Sequence, residues 1–262
     1  MKIEKIQKSG SKYKITLDNG KIISTYEEVI LDKGLLYHKY INEKQLEKIY
    51  KDTAYYKSYN KALDMINRRL RSEYEIRKYL EKSEIKKEDI ESIIDNLKRI
   101  NLINDRAFAK AYTNDKINLS MDGPHKIRRH LKENKVREEY IEEAISNIDK
   151  EILKDHIKKI VDKKIKNNTK YTPYQLKQKI TTYLINLGYD RVEIVSILDN
   201  YQIESPNLEK EMDKVLNRLK KKYSGDKLIY NLKNKLYTKG YTKEEIEEYI
   251  KNSSINWAIY FL

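Results

Sequence analysis

Residues 76–94, IRKYLEKSEIKKEDIESII, carry the spacing that decides the fold. Their apolar positions are separated by steps of 4, 5, 5 and 4 residues, at Ile76, Leu80, Ile85, Ile90 and Ile94. Two apolar residues four positions apart lie on one face of a helix, and the longer step crosses a short turn. This stretch therefore predicts two short amphipathic helices joined by a turn.

The same steps recur three more times along the chain. The copies begin 51, 53 and 52 residues apart, and their apolar positions are Ile127, Leu131, Val136, Ile141 and Ile145; Ile180, Leu184, Tyr189, Ile194 and Leu198; and Leu232, Leu236, Tyr241, Ile246 and Ile250. A further helix is predicted before each pair, over residues 59–70, 105–119, 150–166 and 207–223. Each unit is therefore predicted to be a three-helix module of about fifty residues.

A three-helix module of this size buries only a thin core by itself. We therefore expect a mainly α protein in which tandem three-helix-bundle repeats pack into an elongated curved array. The alternative is that the same apolar stripes form an ordinary compact bundle.

Helix boundaries are marked by proline, capping residues and glycine. Helix starts are predicted at Pro124, Pro173 and Pro206. Capping boxes are predicted over residues 72–75, 172–175 and 242–245. Gly188 and Gly240 stand where a left-handed helix end favours glycine, and Glu84 and Lys135 occupy the equivalent positions in copies one and two.

The N-terminal segment has a different pattern. Tyr13, Ile15 and Leu17 alternate with polar residues, 18–20 suit a tight turn, and 21–23 can return as a second strand. We predict a small β element there, as a structural appendage or a docking module. The predicted domains are a hairpin-and-helix extension at 1–50, modules at 58–103, 104–149, 150–203 and 205–252, and an apolar tail at 253–262.

Charge predicts an anionic partner. Among the 262 residues, 55 are Lys or Arg and 41 are Asp or Glu, for a net charge of +14. The abundant lysines have a second explanation, mutational drift on solvated faces in an AT-rich genome. Arginine is more informative, because nine of its 11 occurrences fall between positions 68 and 137.

Other classes of protein are disfavoured. The chain has no cysteine, its four histidines are scattered, and no Gly-rich phosphate loop is present. We expect no metal, no cofactor and no enzymatic activity. No signal peptide or apolar membrane span is evident, so we expect a cytoplasmic monomer that makes no membrane contact.

Three stretches carry a recognisable pattern: residues 62–80, ALDMINRRLRSEYEIRKYL; residues 97–109, LKRINLINDRAFA; and residues 123–131, GPHKIRRHL. They resemble the RecX family, bacterial regulators of the RecA recombinase. The strong resemblance covers about residues 60–147. Glu84 and Lys135 depart from the family, which often has glycine at those turns.

The resemblance implies tandem three-helix repeats that lie along the groove of the RecA–DNA filament. It implies a non-enzymatic regulator that limits ATP hydrolysis, strand exchange and filament extension, with RecA and single-stranded DNA as partners and double-stranded DNA as an open addition. The candidate contacts are Arg68, Arg69, Arg71, Arg77, Lys126, Arg128, Arg129 and Lys132. Arg128 and Lys132 are spaced to meet one anionic track.

Two alternatives remain open. The paired short helices are also compatible with a helix-turn-helix-like protein that binds nucleic acid directly. The candidate residues have a structural alternative as well: Arg71 can border a capped helix, and Arg77 can form a surface ion pair with Glu73. Tyr189 and Tyr241 stand at apolar positions of the repeat, so we assign them to the core.

Overall fold

The computed structural model describes residues 1–83, 85–169, 171–204 and 208–252. Within these ranges the chain forms a small N-terminal sheet followed by helices, which confirms the mainly α prediction. The strands are β1 (Ile3–Ser9), β2 (Lys12–Leu17) and β3 (Ile22–Thr25). The helices are α1 (Glu27–Asp32), α2 (Glu43–Arg68), α3 (Glu73–Leu80), α4 (Lys87–Arg99), α5 (Asp105–Ser120), α6 (Pro124–Glu133), α7 (Glu138–Ser146), α8 (Lys150–Lys166), α9 (Pro173–Asn186), α10 (Arg191–Leu198), α11 (Leu208–Leu219), α12 (Gly225–Thr238) and α13 (Lys243–Asn252).

The chain divides into two compact units. The first comprises residues 1–114 and 130–144, and the second comprises residues 115–129 together with the described residues that follow 144. The first holds the sheet and the core of α2–α4. The second holds the helices from α8 to α13.

The predicted hairpin is confirmed as β2 and β3, which pair antiparallel with Ile15 opposite Ile23. Gly20 adopts a φ of 76° in the turn, and its amide donates to the carbonyl of Leu17. A third strand, β1, pairs antiparallel with β2 and was not predicted. In β1 just two side chains, those of Ile3 and Ile6, are partly buried, and the other five are exposed. The two lie three residues apart because a bulge shifts the register of the strand. The sequence therefore shows no alternation there.

The helix predicted over 59–70 is longer than expected. It forms the C-terminal part of α2, which runs unbroken from Glu43 to Arg68. A capping box between Asn42 and Gln45 starts it, and residues 43–68 contain no glycine or proline that would end it earlier. The prediction of one helix in the 1–50 extension and a separate helix over 59–70 was therefore wrong. The predicted domain boundaries stay a prediction.

We number the modules by their helices. Module one is the end of α2 with α3 and α4, module two is α5–α7, module three is α8–α10, and module four is α11–α13. The repeated apolar positions form their cores: all are buried except Ile85, Ile145 and Ile250, which are partly buried. Tyr189 and Tyr241 are buried, as predicted.

The predicted helix ends are also present, except that residues 172–175 make one of the two bonds of a capping box, from the Gln175 amide to Thr172 Oγ1. Pro124 and Pro173 open α6 and α9. Gly188 and Gly240 have φ values of 92° and 90°, and Lys135 adopts the same left-handed region at 56° without being glycine. The predictions for Glu84, Pro206 and the tail at 253–262 lie outside the described residues.

Consecutive modules are tied by one recurring contact. The start of the middle helix in one module bonds to the turn that ends the middle helix of the next. Ser72 Oγ donates to Asn134 Oδ1 at 3.3 Å, and Thr172 Oγ1 donates to the Lys239 carbonyl at 3.1 Å. At the start of α6 the equivalent bond joins two backbone groups, since the Gly123 amide donates to the Leu187 carbonyl at 2.7 Å. Each consecutive pair of modules is therefore joined by a hydrogen bond at the same position of the repeat.

Candidate functional site

The arginines between α2 and α3 converge on one carboxylate. Glu75 accepts from Arg69 at 2.5 Å and from Arg71 at 3.1 Å, and it also accepts the Ser72 amide in the capping box that starts α3. Burial alone would raise the pKa of Glu75, but the hydrogen bonds from Arg69, Ser72 and Arg71 outweigh it and lower that pKa. Arg69 and Arg71 therefore hold the helix junction.

Arg77 links α3 to α4. Its guanidinium pairs with Glu73 at 3.0 Å, one turn earlier, and also forms an ion pair with Glu91 on α4. Lys98 reaches Glu73 from the end of α4 at 2.5 Å. Burial would raise the pKa of Glu73, but the bonds from Lys98 and Arg77 lower it. The ion pair between Arg77 and Glu73 is thus present.

Arg68 differs from its neighbours. It ends α2, is exposed, and has no ion pair with any residue that the structure describes. Its charge is therefore available to an external anion.

The candidates on α6 also differ from one another. Lys126 pairs with the buried carboxylate of Asp122 at 2.7 Å, and Lys132 pairs with Glu138 at 3.1 Å. Arg128 is partly buried and engaged in an interaction within the molecule. Arg129 is exposed and makes no ion pair within the described part of the chain. Arg128 and Lys132 lie one turn apart on this helix, as their spacing required.

The sequence did not indicate how many of these cations already have partners. At least five of the eight candidates are bound to carboxylates, namely Arg69, Arg71, Arg77, Lys126 and Lys132. The partners Glu75 of Arg71 and Glu73 of Arg77 each lie four residues away, and the pair of Arg77 with Glu73 was weighed from the sequence. Glu91 could not be identified in this way, because it is 14 residues from Arg77.

A second basic region lies in module three and was missed. It is a groove between α8 and α9 that presents lysine and tyrosine side chains. The run KKIVDKKIK at 158–166 was a visible signal for it. This region was not identified from the sequence, because arginine was taken as more informative than lysine.

Among the residues that the structure describes, no group of three His, Asp or Glu side chains is arranged to hold a metal ion. None of the described helices has the length and apolar character needed to cross a membrane.

Fold and surface together define a tandem-repeat protein of three-helix modules with exposed basic side chains. A family model described as "RecX, first three-helix domain" matches residues 59–97, and one described as "RecX, second three-helix domain" matches residues 104–145. The regulatory protein RecX of Listeria welshimeri is 32% identical, with 98% of each chain covered. That of Streptococcus agalactiae is 31% identical, covering 96% of this chain and 99% of that protein. The chain belongs to the RecX family, which confirms the resemblance.

Solved structures agree. A crystal structure of regulatory protein RecX is 29% identical and superposes with a TM-score of 0.60, covering 76% of this chain and 99% of that chain. The crystal structure of RecX from Lactobacillus salivarius, 24% identical, has a TM-score of 0.51 and covers 56% of this chain and 95% of that one. The second comparison concerns the fold alone.

Proposed function

We propose that this protein is a non-enzymatic regulator that binds the RecA–DNA nucleoprotein filament and mostly inhibits its ATP hydrolysis, strand exchange and extension. It acts in recombination, DNA repair and the SOS response, in the cytoplasm and as a monomer. The observation that carries the proposal is the similarity over 98% of the chain to proteins named regulatory protein RecX.

The charge distribution supports an anionic partner of this kind. A filament on DNA presents phosphates, and each phosphate neutralised by Lys or Arg releases condensed counterions. Arg68 and Arg129 offer exposed cations without a carboxylate to displace, judged over the described residues. We therefore assign them the first contacts.

The remaining candidates would have to exchange partners. Exposed ion pairs contribute only about 0–1 kcal/mol, so Lys132, whose side chain is 52% exposed, can move from Glu138 to a phosphate at little cost. Arg71 and Arg77, at 20% and 28% exposed, are held more firmly. Their role in binding is therefore secondary to their role in joining the helices of module one.

The test is ATP hydrolysis by RecA assembled on single-stranded DNA, followed while the protein is added. We expect the rate to fall. An unchanged rate with a folded protein would contradict the proposal.

Variants locate the contacts. Arg68→Gln with Arg129→Gln should weaken the inhibition and make its dependence on salt shallower by about 0.7–0.9 for each phosphate that is no longer neutralised. Arg218→Gln, an exposed arginine of α11, is the matched control and should behave as the wild type. Arg128→Ala with Lys132→Ala tests the pair on α6 in the same way. Full inhibition by both double variants would remove these residues from the binding surface.

The alternative function is direct, helix-turn-helix-like binding of nucleic acid. It is favoured by the paired short helices of each module, such as α6 and α7, which could contact a nucleic acid without RecA. Equal affinity for the filament and for the same DNA without RecA would favour this alternative.

A further inference from the structure

The groove in module three lies within the second unit and has a volume of about 1360 Å³. It follows the C-terminal half of α8 and the facing side of α9. This volume exceeds the roughly 300–1,000 Å³ of small-molecule pockets. Its charged and aromatic lining consists of Lys159, Lys163, Lys164, Lys179, Tyr171 and Tyr183.

The electrostatics of this groove differ from those of the arginine sites. None of the described residues that line it is Asp or Glu. Its four lysines are exposed, and they form no ion pair with the residues that the structure describes. Asp162, the acid on α8 among these lysines, is hydrogen-bonded to Tyr201. The described lining of the groove therefore carries four lysine charges and no carboxylate, and the nearby Asp162 is directed to Tyr201.

The lysines rest on aromatic rings instead of carboxylates. Lys164 Nζ lies 4.2 Å from the ring centroid of Tyr183, and Lys179 Nζ lies 4.6 Å from that of Tyr171. Such contacts are weak at exposed sites, so an ammonium can turn to a phosphate and leave the ring face to a planar group. Stacking of bases on aromatic side chains is tolerant of sequence, because every base has a π-face.

Amide side chains complete the lining. Asn167, Gln175, Gln178 and Asn186 face the same groove and offer both donors and acceptors. Unpaired bases expose Watson–Crick edges that such groups can bond, whereas in a duplex those edges are occupied by base pairing. An acidic peptide would use the lysines but not the tyrosine faces.

We propose that this groove binds single-stranded nucleic acid directly, with the lysines on the phosphates and the tyrosines against the bases. The site goes beyond the regulator function, because it assigns strand binding to module three and needs no RecA. The two proposals can therefore fail separately.

The test uses the full chain without RecA and a short fluorescent oligothymidylate, with binding followed by anisotropy between about 50 and 200 mM salt. Lys163→Gln with Lys179→Gln should weaken binding and reduce the slope of log K against log salt by about 1.4, from about 0.7 for each phosphate that a lysine no longer neutralises. Lys227→Gln with Lys235→Gln removes the same charge from exposed positions on α12 and should change neither.

A second variant tests the stacking. Tyr183→Ala should weaken binding by roughly 5- to 150-fold, the range spanned by one stacked base. Tyr230→Ala, at an exposed tyrosine of α12, is its control. Circular dichroism melting, which should be unchanged, checks that each variant is folded.

Three ligands distinguish single-stranded DNA, single-stranded RNA and double-stranded DNA as the bound nucleic acid. Oligothymidylate and oligouridylate should both bind more tightly than a DNA duplex of equal length, and the tighter of the two identifies the natural strand. The proposal is wrong if the groove variants bind like their controls, or if the duplex binds as tightly as the single strands.

Discussion

Replacing Gly188 with alanine tests the close approach between the end of α9 and the start of α6. Gly188 has a φ of +92°, and a Cβ there would lie 2.4 Å from the Lys126 amide nitrogen and 2.6 Å from its Cβ. The left-handed conformation costs a non-glycine residue about 1–2 kcal/mol. Overpacking against a helix backbone adds about 1–3 kcal/mol, so the free energy of unfolding should fall by about 2–5 kcal/mol.

Urea unfolding followed by circular dichroism measures this loss. With an m-value of about 2–3 kcal/mol/M, the midpoint of the transition should drop by about 0.7–2.5 M. Gly20→Ala is the control, because Gly20 has a φ of +76° and no atom within 4 Å of the added Cβ. It should lose only about 1–2 kcal/mol. Equal losses in the two variants would refute the close approach.

Three further predictions concern the core, a helix cap and acid stability. Leu131→Ala should lower the free energy of unfolding by about 2–5 kcal/mol, whereas Leu119→Ala, at an 82% exposed side chain, should change it by less than about 0.5 kcal/mol in the same urea titration. Thr172→Ala should lower the stability by about 0.5–2 kcal/mol in thermal unfolding, since the Thr172 hydroxyl caps α9. Ser224→Ala should cost little, because Ser224 makes no side-chain cap bond. Similar losses in the two variants would contradict this role of Thr172. Because the pKa of Glu75 is lowered below its ordinary 4.5 in the folded protein, its contribution to stability should be present above that pH and be lost as pH falls through the lowered value. Glu75→Gln should therefore show a shallower decline on acid titration, and an identical decline would be inconsistent with the bond network.

Local pattern was sufficient to predict the modules. The steps of 4, 5, 5 and 4 follow from helical periodicity, so the sequence alone assigns Ile76 and Leu80 to the core, where both are buried. Gly188 was predictable in the same way, because a left-handed helix end favours glycine. The unbroken course of α2 was not predictable in this way. Between Ile49 and Ala62 the helix buries only Ser58, so the apolar pattern is interrupted although the helix continues.

Contacts between distant residues lie beyond such patterns. The pairing of Arg77 with Glu91 and the approach of Gly123 to Gly188 each join residues on different helices. The arginine cluster was visible in the sequence, but its neutralisation depends on how α2, α3 and α4 pack. The basic groove depends likewise on which faces of α8 and α9 are adjacent.

The proposed regulator function requires that this protein bind a RecA filament. The most direct measurement compares its affinity for RecA assembled on single-stranded DNA with its affinity for the same DNA alone, at one salt concentration. We predict tighter binding to the filament, even with the strand binding that we propose for the groove of module three. Equal affinity for the two would contradict the regulator function and leave a direct nucleic-acid-binding protein.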